Sequence, residues 1–230
     1  MTLTERIRRT TLDLRLFIAA SFAVGAAYSM FDSVFNNYLN ETFSPTGFQR
    51  SFLEFPRELP GFLVVFVTAL LWFLGGRKLS ATAMLLGSAG ALLIGFASPH
   101  YTAMVAWLFI YSLGSHLFMP LSASIGMQLA NSGQAGRRLG QLNAVRNLAT
   151  IFGSFFVFAG FRYLGLTFRY TFVLAAVVLA VAAVLLLLMK PEAPAPRPAY
   201  LKLHPEYRLY YLLAVLSGSR KQIFITFAPW

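Results

Sequence analysis

Residues Phe168 to Met189 read FRYTFVLAAVVLAVAAVLLLLM. From Phe172 to Leu188 this stretch contains only Phe, Val, Leu and Ala, with no charged side chain. At a rise of about 1.5 Å per residue, roughly 20 such residues form a helix that crosses the ~30 Å hydrocarbon core of a bilayer. The stretch therefore predicts a transmembrane helix.

The whole chain has the composition of a membrane protein. Hydrophobic residues make up 57% of its 230 residues and charged residues only 12%, whereas a soluble domain carries roughly 25% charged residues. So few charges exclude a soluble globular domain, and so much hydrophobic surface excludes a disordered chain. Cysteine is absent, which excludes a disulfide framework and a thiolate metal site.

Six stretches are long and apolar enough to span a bilayer. They cover residues 16–39, 55–74, 81–97, 101–130, 139–161 and 168–189. The predicted fold class is therefore all-α: a polytopic membrane protein with six transmembrane helices and the start of a seventh at 222–230. We expect a cytoplasmic N-terminus at 1–15, a six-helix bundle at 16–189, and a cytoplasmic loop with an interfacial helix at 190–221. The short seventh run suggests an N-terminal half or a fragment.

The basic residues are distributed unevenly between the two ends of these helices. Fourteen Lys and Arg residues lie on the side that holds the N-terminus, and four lie on the other side. The positive-inside rule then places the N-terminus in the cytoplasm, in the plasma (inner) membrane. Loop charges of this kind account for the net charge of +11, and no DNA- or RNA-reading motif is present, so nucleic acid is not an expected partner.

Polar side chains interrupt four of the six predicted helices. In helix one they recur at a spacing of about four residues, which places them on one helix face. A charge at membrane depth costs about 2.5–3.5 kcal/mol, so such residues face the bundle interior or a water-filled cavity. The candidate substrate-binding residues are Tyr28, Asp32, Asn36, Ser112, His116, Asn143, Arg146 and Asn147.

Three charged residues, Glu54, Arg57 and Glu58, lie at the predicted outer end of helix two. Together with Asp32 of helix one, they are the candidates for proton coupling or gating. Helix rise places Asp32 and Arg57 at similar depth, which predicts a contact or a shared water network between them. Arg146 lies too far toward the inner end to pair with Asp32. If Glu54 or Glu58 takes Arg57 instead, Asp32 is left as a proton carrier.

Each of these residues also has a structural interpretation. The helix-two charges can simply lie at the outer headgroup level, and Arg146 can extend to the inner surface. Asn143 and Asn147 can serve only as hydrogen bonds between helices. His116 can be a packed histidine whose hydrogen bonds are satisfied. Asp32 is the hardest to explain in this way, because its side chain is too short to reach the surface.

The pattern resembles the N-terminal half of a major facilitator superfamily transporter. Residues 111–130 (YSLGSHLFMPLSASIGMQLA), followed by Arg137, Arg138 and the stretch LGQLN, are similar to the fourth-to-fifth helix passage of bacterial members. The resemblance implies that helices one and four line a central cavity, that helices two and five contact the other half, and that helices three and six are peripheral. In the loop before helix three, glycines and Arg77-Lys78 match the family signature but its aspartate is missing. The gate that this signature latches is therefore in doubt.

The predicted function is secondary transport of a small solute by alternating access. The alternative is a half-size membrane subunit or scaffold that acts only after dimerisation or with a partner. An enzyme is not expected, because the three histidines lie in separate segments and no serine elbow or phosphate loop is present. The expected partners are the lipid bilayer, a small-molecule substrate with protons as a further option, and a missing C-terminal half or a second copy. No cofactor or metal is expected.

Overall fold

The computed structural model describes residues 3–190, with side chains from residue 12 onward, and the short segments 205–209, 212–213 and 216. A 3₁₀ turn at Trp72–Leu74 separates the second helix from the third, and another forms at Pro205–Tyr207. The six helices are α1 (Leu3–Phe43), α2 (Gly47–Leu70), α3 (Gly75–Phe96), α4 (Tyr101–Gln128), α5 (Ala135–Tyr163) and α6 (Phe168–Leu187).

The chain is an integral membrane protein with an all-helical bundle, as the sequence predicts. Five helical stretches of the described residues are long and apolar enough to cross a membrane: Leu12–Phe43, Trp72–Phe96, Tyr101–Gln128, Ala135–Tyr163 and Phe168–Leu187. The helix α2 has 24 residues, about 36 Å of helix. It differs from the others because Glu54, Arg57 and Glu58 interrupt its apolar sequence.

Two expected boundaries are not breaks in the structure. The helix α1 begins at Leu3 and continues through the residue 15 boundary, so the basic N-terminal segment extends the first transmembrane helix. The glycines and basic residues at 75–78 begin α3 instead of forming a loop. Basic residues mark the edge of the membrane, and a helix can continue past that edge. The predicted seventh run at 222–230, and most of the predicted cytoplasmic loop with its interfacial helix at 190–221, lie outside the described residues.

The helices pack side by side in the order α5, α1, α6, α3, α4, α2, with α4 also touching α5. Small residues permit this packing where lipid provides no hydrophobic drive. A methyl group added at Gly90 of α3 would lie 2.5 Å from the backbone nitrogen of Tyr111 on α4. An aromatic core fills the centre: the Phe31 ring stacks on Tyr111 with 3.8 Å between centroids and tilts against Phe172 at 5.2 Å.

From Phe172 to Leu187 the helix α6 is wholly apolar, yet one face of it is buried in the bundle. Residues at three- and four-residue spacing along α6 are buried, including Phe172, Ala176, Leu179 and Ala183. They pack between α1 and α3. Alanine, valine and leucine suit lipid and protein interior equally, so composition alone could not show which face of α6 is covered.

Candidate functional site

The predicted contact between Asp32 and Arg57 joins the C-terminal half of α1 to the N-terminal half of α2. Nη2 of Arg57 lies 3.7 Å from Oδ1 of Asp32, and Nη1 lies 3.9 Å from Oε1 of Glu54. Arg57 is therefore shared between two carboxylates. The side chain of Asp32 is 58% exposed, so it faces the open side of α1 and not the aromatic core.

A second polar contact joins α2 to α4. Nε2 of His116 lies 3.4 Å from Oε2 of Glu58. The hydroxyl of Ser112, one turn before His116, donates to the backbone carbonyl of Arg57. Consecutive residues of α2, Arg57 and Glu58, thus bind the same face of α4. Glu58 therefore contacts a side chain of a neighbouring helix.

The contacts of His116 determine where its protons lie. Nδ1 is 3.0 Å from the carbonyl oxygen of Ser112 and 3.0 Å from its hydroxyl oxygen. That hydroxyl already donates its only proton to Arg57, so both contacts require Nδ1 to donate. With Nδ1 donating, a proton on Nε2 or on the Glu58 carboxyl group would allow a hydrogen bond across the 3.4 Å between them.

The sequence of α2 explains how an imidazole fits between two helices. A methyl group at Gly61 would lie 2.9 Å from Cδ2 of His116, so glycine alone leaves room for the ring. Pro60 has no N–H to donate to the carbonyl of residue 56 and interrupts the helical hydrogen bonding at this turn. The next carbonyl, that of Arg57, is the one that accepts the hydroxyl of Ser112.

A separate polar cluster joins α1 to α5. The hydroxyl of Ser29 donates to the carbonyl of Thr150 at 2.7 Å and lies 2.7 Å from Oγ of Ser154. The hydroxyl of Ser33 lies 3.3 Å from the same oxygen. The polar stripe of α1 was recognised in the sequence, but these serines were not among the candidate site residues. Serine is common at helix interfaces, so its presence alone carries little information about a site.

Arg146 is held by neutral partners. Its Nη2 donates to Oδ1 of Asn143 at 2.8 Å, and its Nη1 lies 3.5 Å from the hydroxyl of Ser122 on α4. These contacts agree with the expectation that Arg146 does not pair with Asp32. They orient the guanidinium across the gap between α5 and α4, and they do not neutralise its charge.

Tyr28 lies between the two charged groups. It interacts electrostatically with both Asp32 and Arg146. Its ring packs edge to face against the Tyr111 ring, with 5.9 Å between the ring centroids. Its hydroxyl is buried and has no hydrogen-bond partner among the described residues. A buried phenol hydroxyl normally finds a partner, so this group has hydrogen-bonding capacity that the described residues do not use.

Two candidate residues are not brought into these contacts. Asn36 and Asn147 are exposed, and neither side chain forms a hydrogen bond among the described residues. A cavity of about 470 Å³ does lie beside α1 and α5 toward the C-terminal ends of both helices. Its polar lining residues, Ser33, Asn37, Ser154 and Arg162, were not predicted as site residues.

The sequence analysis also missed the partner of Arg77. Nη1 of Arg77 donates to Oδ2 of Asp13 at 2.8 Å, and both side chains are largely buried. Oδ1 of Asp13 accepts from the backbone N–H of Lys190, just past the end of α6. The aspartate that is missing from the loop before α3 is thus matched by a carboxylate from α1, 64 residues away in sequence.

Comparison with protein families gives a match to the model described as Major Facilitator Superfamily over residues 59–229, about three quarters of the chain. The chain belongs to the major facilitator superfamily. A comparison with curated proteins gives no match. The superfamily match begins within α2, so α1 with Asp32 and Tyr28 lies outside it, and the arrangement of those residues is known from the structure alone. As a superfamily member, the protein is a membrane transporter.

Proposed function

We propose that the chain forms one wall of a solute pathway that works by alternating access, and that its polar residues bind a small polar solute. The observation that carries this proposal is the continuous polar face on α1, α2 and α4, made of the Asp32–Arg57 and Glu58–His116 pairs. Charged groups within a membrane are costly unless they face a wet space. The unpartnered hydroxyl of Tyr28 and the neutral partners of Arg146 leave hydrogen-bonding capacity for a solute.

The lack of cysteine in the sequence makes accessibility the sharpest test. Asp32→Cys introduces a unique thiol on the polar face, and Val181→Cys introduces one on α6, where Val181 is 49% exposed on an apolar helix. Both variants are treated with a membrane-impermeant thiol reagent in right-side-out and inside-out vesicles. We expect the Asp32→Cys thiol to react from both faces of the membrane and the Val181→Cys thiol to react from neither. Equal reactivity of the two would contradict a wet pathway.

We further propose that the Glu58–His116 pair takes up and releases a proton during transport. A carboxylate–imidazole pair that holds one proton can exchange it when the cleft opens to water. Glu58→Gln keeps a polar group next to Nε2 but cannot carry the proton. We expect the labelling rate of Asp32→Cys, divided by that of an exposed reference thiol, to depend on pH between about 5 and 8. That dependence should disappear in the Glu58→Gln background, and its persistence would exclude the pair.

The apolar faces of α2 and α5 support a second bundle as partner. These helices lie at the two ends of the helix row and expose large aromatic residues, among them Phe62, Phe66, Phe155 and Phe158. We propose that they pack against another six-helix unit, either a C-terminal half or a second copy. Disulfide cross-linking of Phe66→Cys and Phe155→Cys distinguishes these partners, because only a second copy gives a product of twice the mass of this chain.

A half-size subunit or scaffold remains the alternative to a solute pathway. A scaffold needs its apolar faces and not its buried charges, so it should tolerate Asp32→Ala and His116→Ala. A pathway should not. We propose that the N-terminus lies on the cytoplasmic side of the plasma (inner) membrane. Labelling of a cysteine added before Leu3 tests that orientation in the same vesicles.

A further inference from the structure

The connection between α4 and α5 borders an open cavity of about 210 Å³ that is unlike the rest of the bundle. Its lining residues are Asn131, Gln134, Arg137, Arg138 and Gln141. The lining therefore consists of two guanidinium groups and three carboxamides. Guanidinium groups carry five N–H donors in a planar fork that suits the oxygens of phosphates and carboxylates.

The chain has no carboxylate near this cavity in sequence. No Asp or Glu occurs between Glu58 and Glu192, so α3, α4, α5 and α6 contain none. Within the described part of the chain, neither Arg137 nor Arg138 forms an ion pair. Asp13, the carboxylate that neutralises Arg77, is already engaged by that residue and by Lys190.

The donors at the cavity are oriented but incompletely used. Nη1 of Arg138 donates to Oε1 of Gln141 at 2.9 Å, which holds the plane of the guanidinium. Nε of the same arginine is buried and has no hydrogen-bond partner in residues 12–190. A buried donor without an acceptor is costly, so the Arg138 side chain retains hydrogen-bonding capacity that the described residues do not use.

The start of α5 adds further donors. Gln134 precedes this 29-residue helix without a capping hydrogen bond from its side chain, and the first turn contains no acidic residue. The first backbone N–H groups of a helix have no partner within the helix, and the helix dipole places partial positive charge there. Such an end favours an anion, and here it lies beside two arginines that also lack one.

From these observations, we propose that the α4–α5 connection is a binding site for a phosphate group, held by Arg137, Arg138 and the first turn of α5. The phosphate can belong to an anionic phospholipid headgroup or to a free phosphorylated solute. The site is distinct from the proposed solute pathway, because Arg146 lies eight residues further along α5, about 12 Å away along the helix axis.

The test uses the full 230-residue chain, purified in a neutral detergent and phosphate-free buffer. One arm measures retention of phosphatidylglycerol against phosphatidylcholine by native mass spectrometry, and the other titrates inorganic phosphate by calorimetry. The variants are Arg138→Ala and Arg138→Lys. The matched control is Lys78→Ala, which removes one positive charge from the exposed start of α3.

We expect Arg138→Ala to weaken phosphate or phosphatidylglycerol binding roughly tenfold, as for loss of a charged hydrogen-bonding partner. Arg138→Lys should also weaken binding, because it loses the Nε donor although it keeps the charge. If the alanine variant does not fold, this lysine variant still tests the proposal. Lys78→Ala should bind like the unaltered chain. Competition of phosphate with the lipid identifies a free anion as a ligand, and lipid retention without competition identifies the headgroup. Equal losses in Arg138→Ala and Lys78→Ala, or no binding of either probe, would overturn the proposal.

Discussion

Replacing Gly61 with alanine places a methyl group 2.9 Å from Cδ2 of the His116 ring. Carbon atoms in contact are normally about 3.5–4.0 Å apart, so the imidazole must move by roughly 0.6–1.1 Å. The ring is held on both sides, by Ser112 at Nδ1 and by Glu58 at Nε2. A shift of this size away from α2 lengthens the 3.4 Å contact with Glu58 beyond hydrogen-bonding distance.

The loss of stability in Gly61→Ala can be compared with the effect of the same change at a matched glycine. Gly140 is also inside a helix, and a methyl group there meets nothing within 4 Å. Both substitutions gain helix propensity, by roughly 1 kcal/mol, so the difference between them isolates the clash. Overpacking costs about 1–3 kcal/mol. We therefore expect Gly61→Ala to be less stable than Gly140→Ala by about that amount.

The measurement is reversible unfolding in mixed micelles of dodecyl maltoside and SDS, followed by circular dichroism. The ring's role is tested in the double variant Gly61→Ala/His116→Ala, in which the clash is relieved. The two changes should be non-additive, with a coupling of about 0.5–3 kcal/mol. If Gly61→Ala and Gly140→Ala have the same stability, the close approach of α2 to His116 is not a feature of the folded protein and the reasoning fails.

Three further changes test the other contacts by the same unfolding assay. Asp13→Ala leaves Arg77 largely buried without its carboxylate and should lower the free energy of unfolding by about 3–5 kcal/mol. The control Lys78→Ala, on the exposed side of the same turn, should change it by less than about 0.5 kcal/mol. Equal effects of the two variants would contradict the pairing of Asp13 with Arg77. Arg57→Ala should cost less than about 1 kcal/mol, because both of its ion pairs are partly exposed and long, so a larger loss would show that Arg57 is mainly structural. Ser154→Ala removes the hydroxyl that contacts two serines of α1 and should lower the free energy of unfolding by about 1 kcal/mol. An unchanged stability would show that this hydroxyl bonds only to lipid or water.

Several features of the site could be predicted because they depend on distance along a helix. The similar predicted depth of Asp32 and Arg57 follows from counting residues, and their contact at 3.7 Å was expected for that reason. The separation of Asp32 from Arg146 follows from the same count. The cost of charge in lipid likewise predicts that such residues find polar partners, which requires no knowledge of which helices touch.

Other features depend on the rotation of each helix about its axis. Glu58 is adjacent to Arg57 in sequence, yet it contacts His116 on α4 and Arg57 contacts Asp32 on α1. A residue's direction around the axis changes by about 100° per position, so small changes in helix rotation exchange such partners. Sequence could place Glu58 at the right depth and could not choose its partner.

The amino-acid sequence by itself determined the membrane class, the helices, and the relative positions of the charged groups along them, because apolar length and helical rise are local properties of the chain. The tertiary structure alone decided the pairing of Arg77 with Asp13, the buried face of α6, and the contact between Glu58 and His116. The two paired contacts join residues 64 and 58 positions apart in sequence. They depend on the order and the rotation of the packed helices. Local sequence patterns do not specify that order and rotation, because close steric contacts between helices, at positions such as Gly61 and Gly90, determine them.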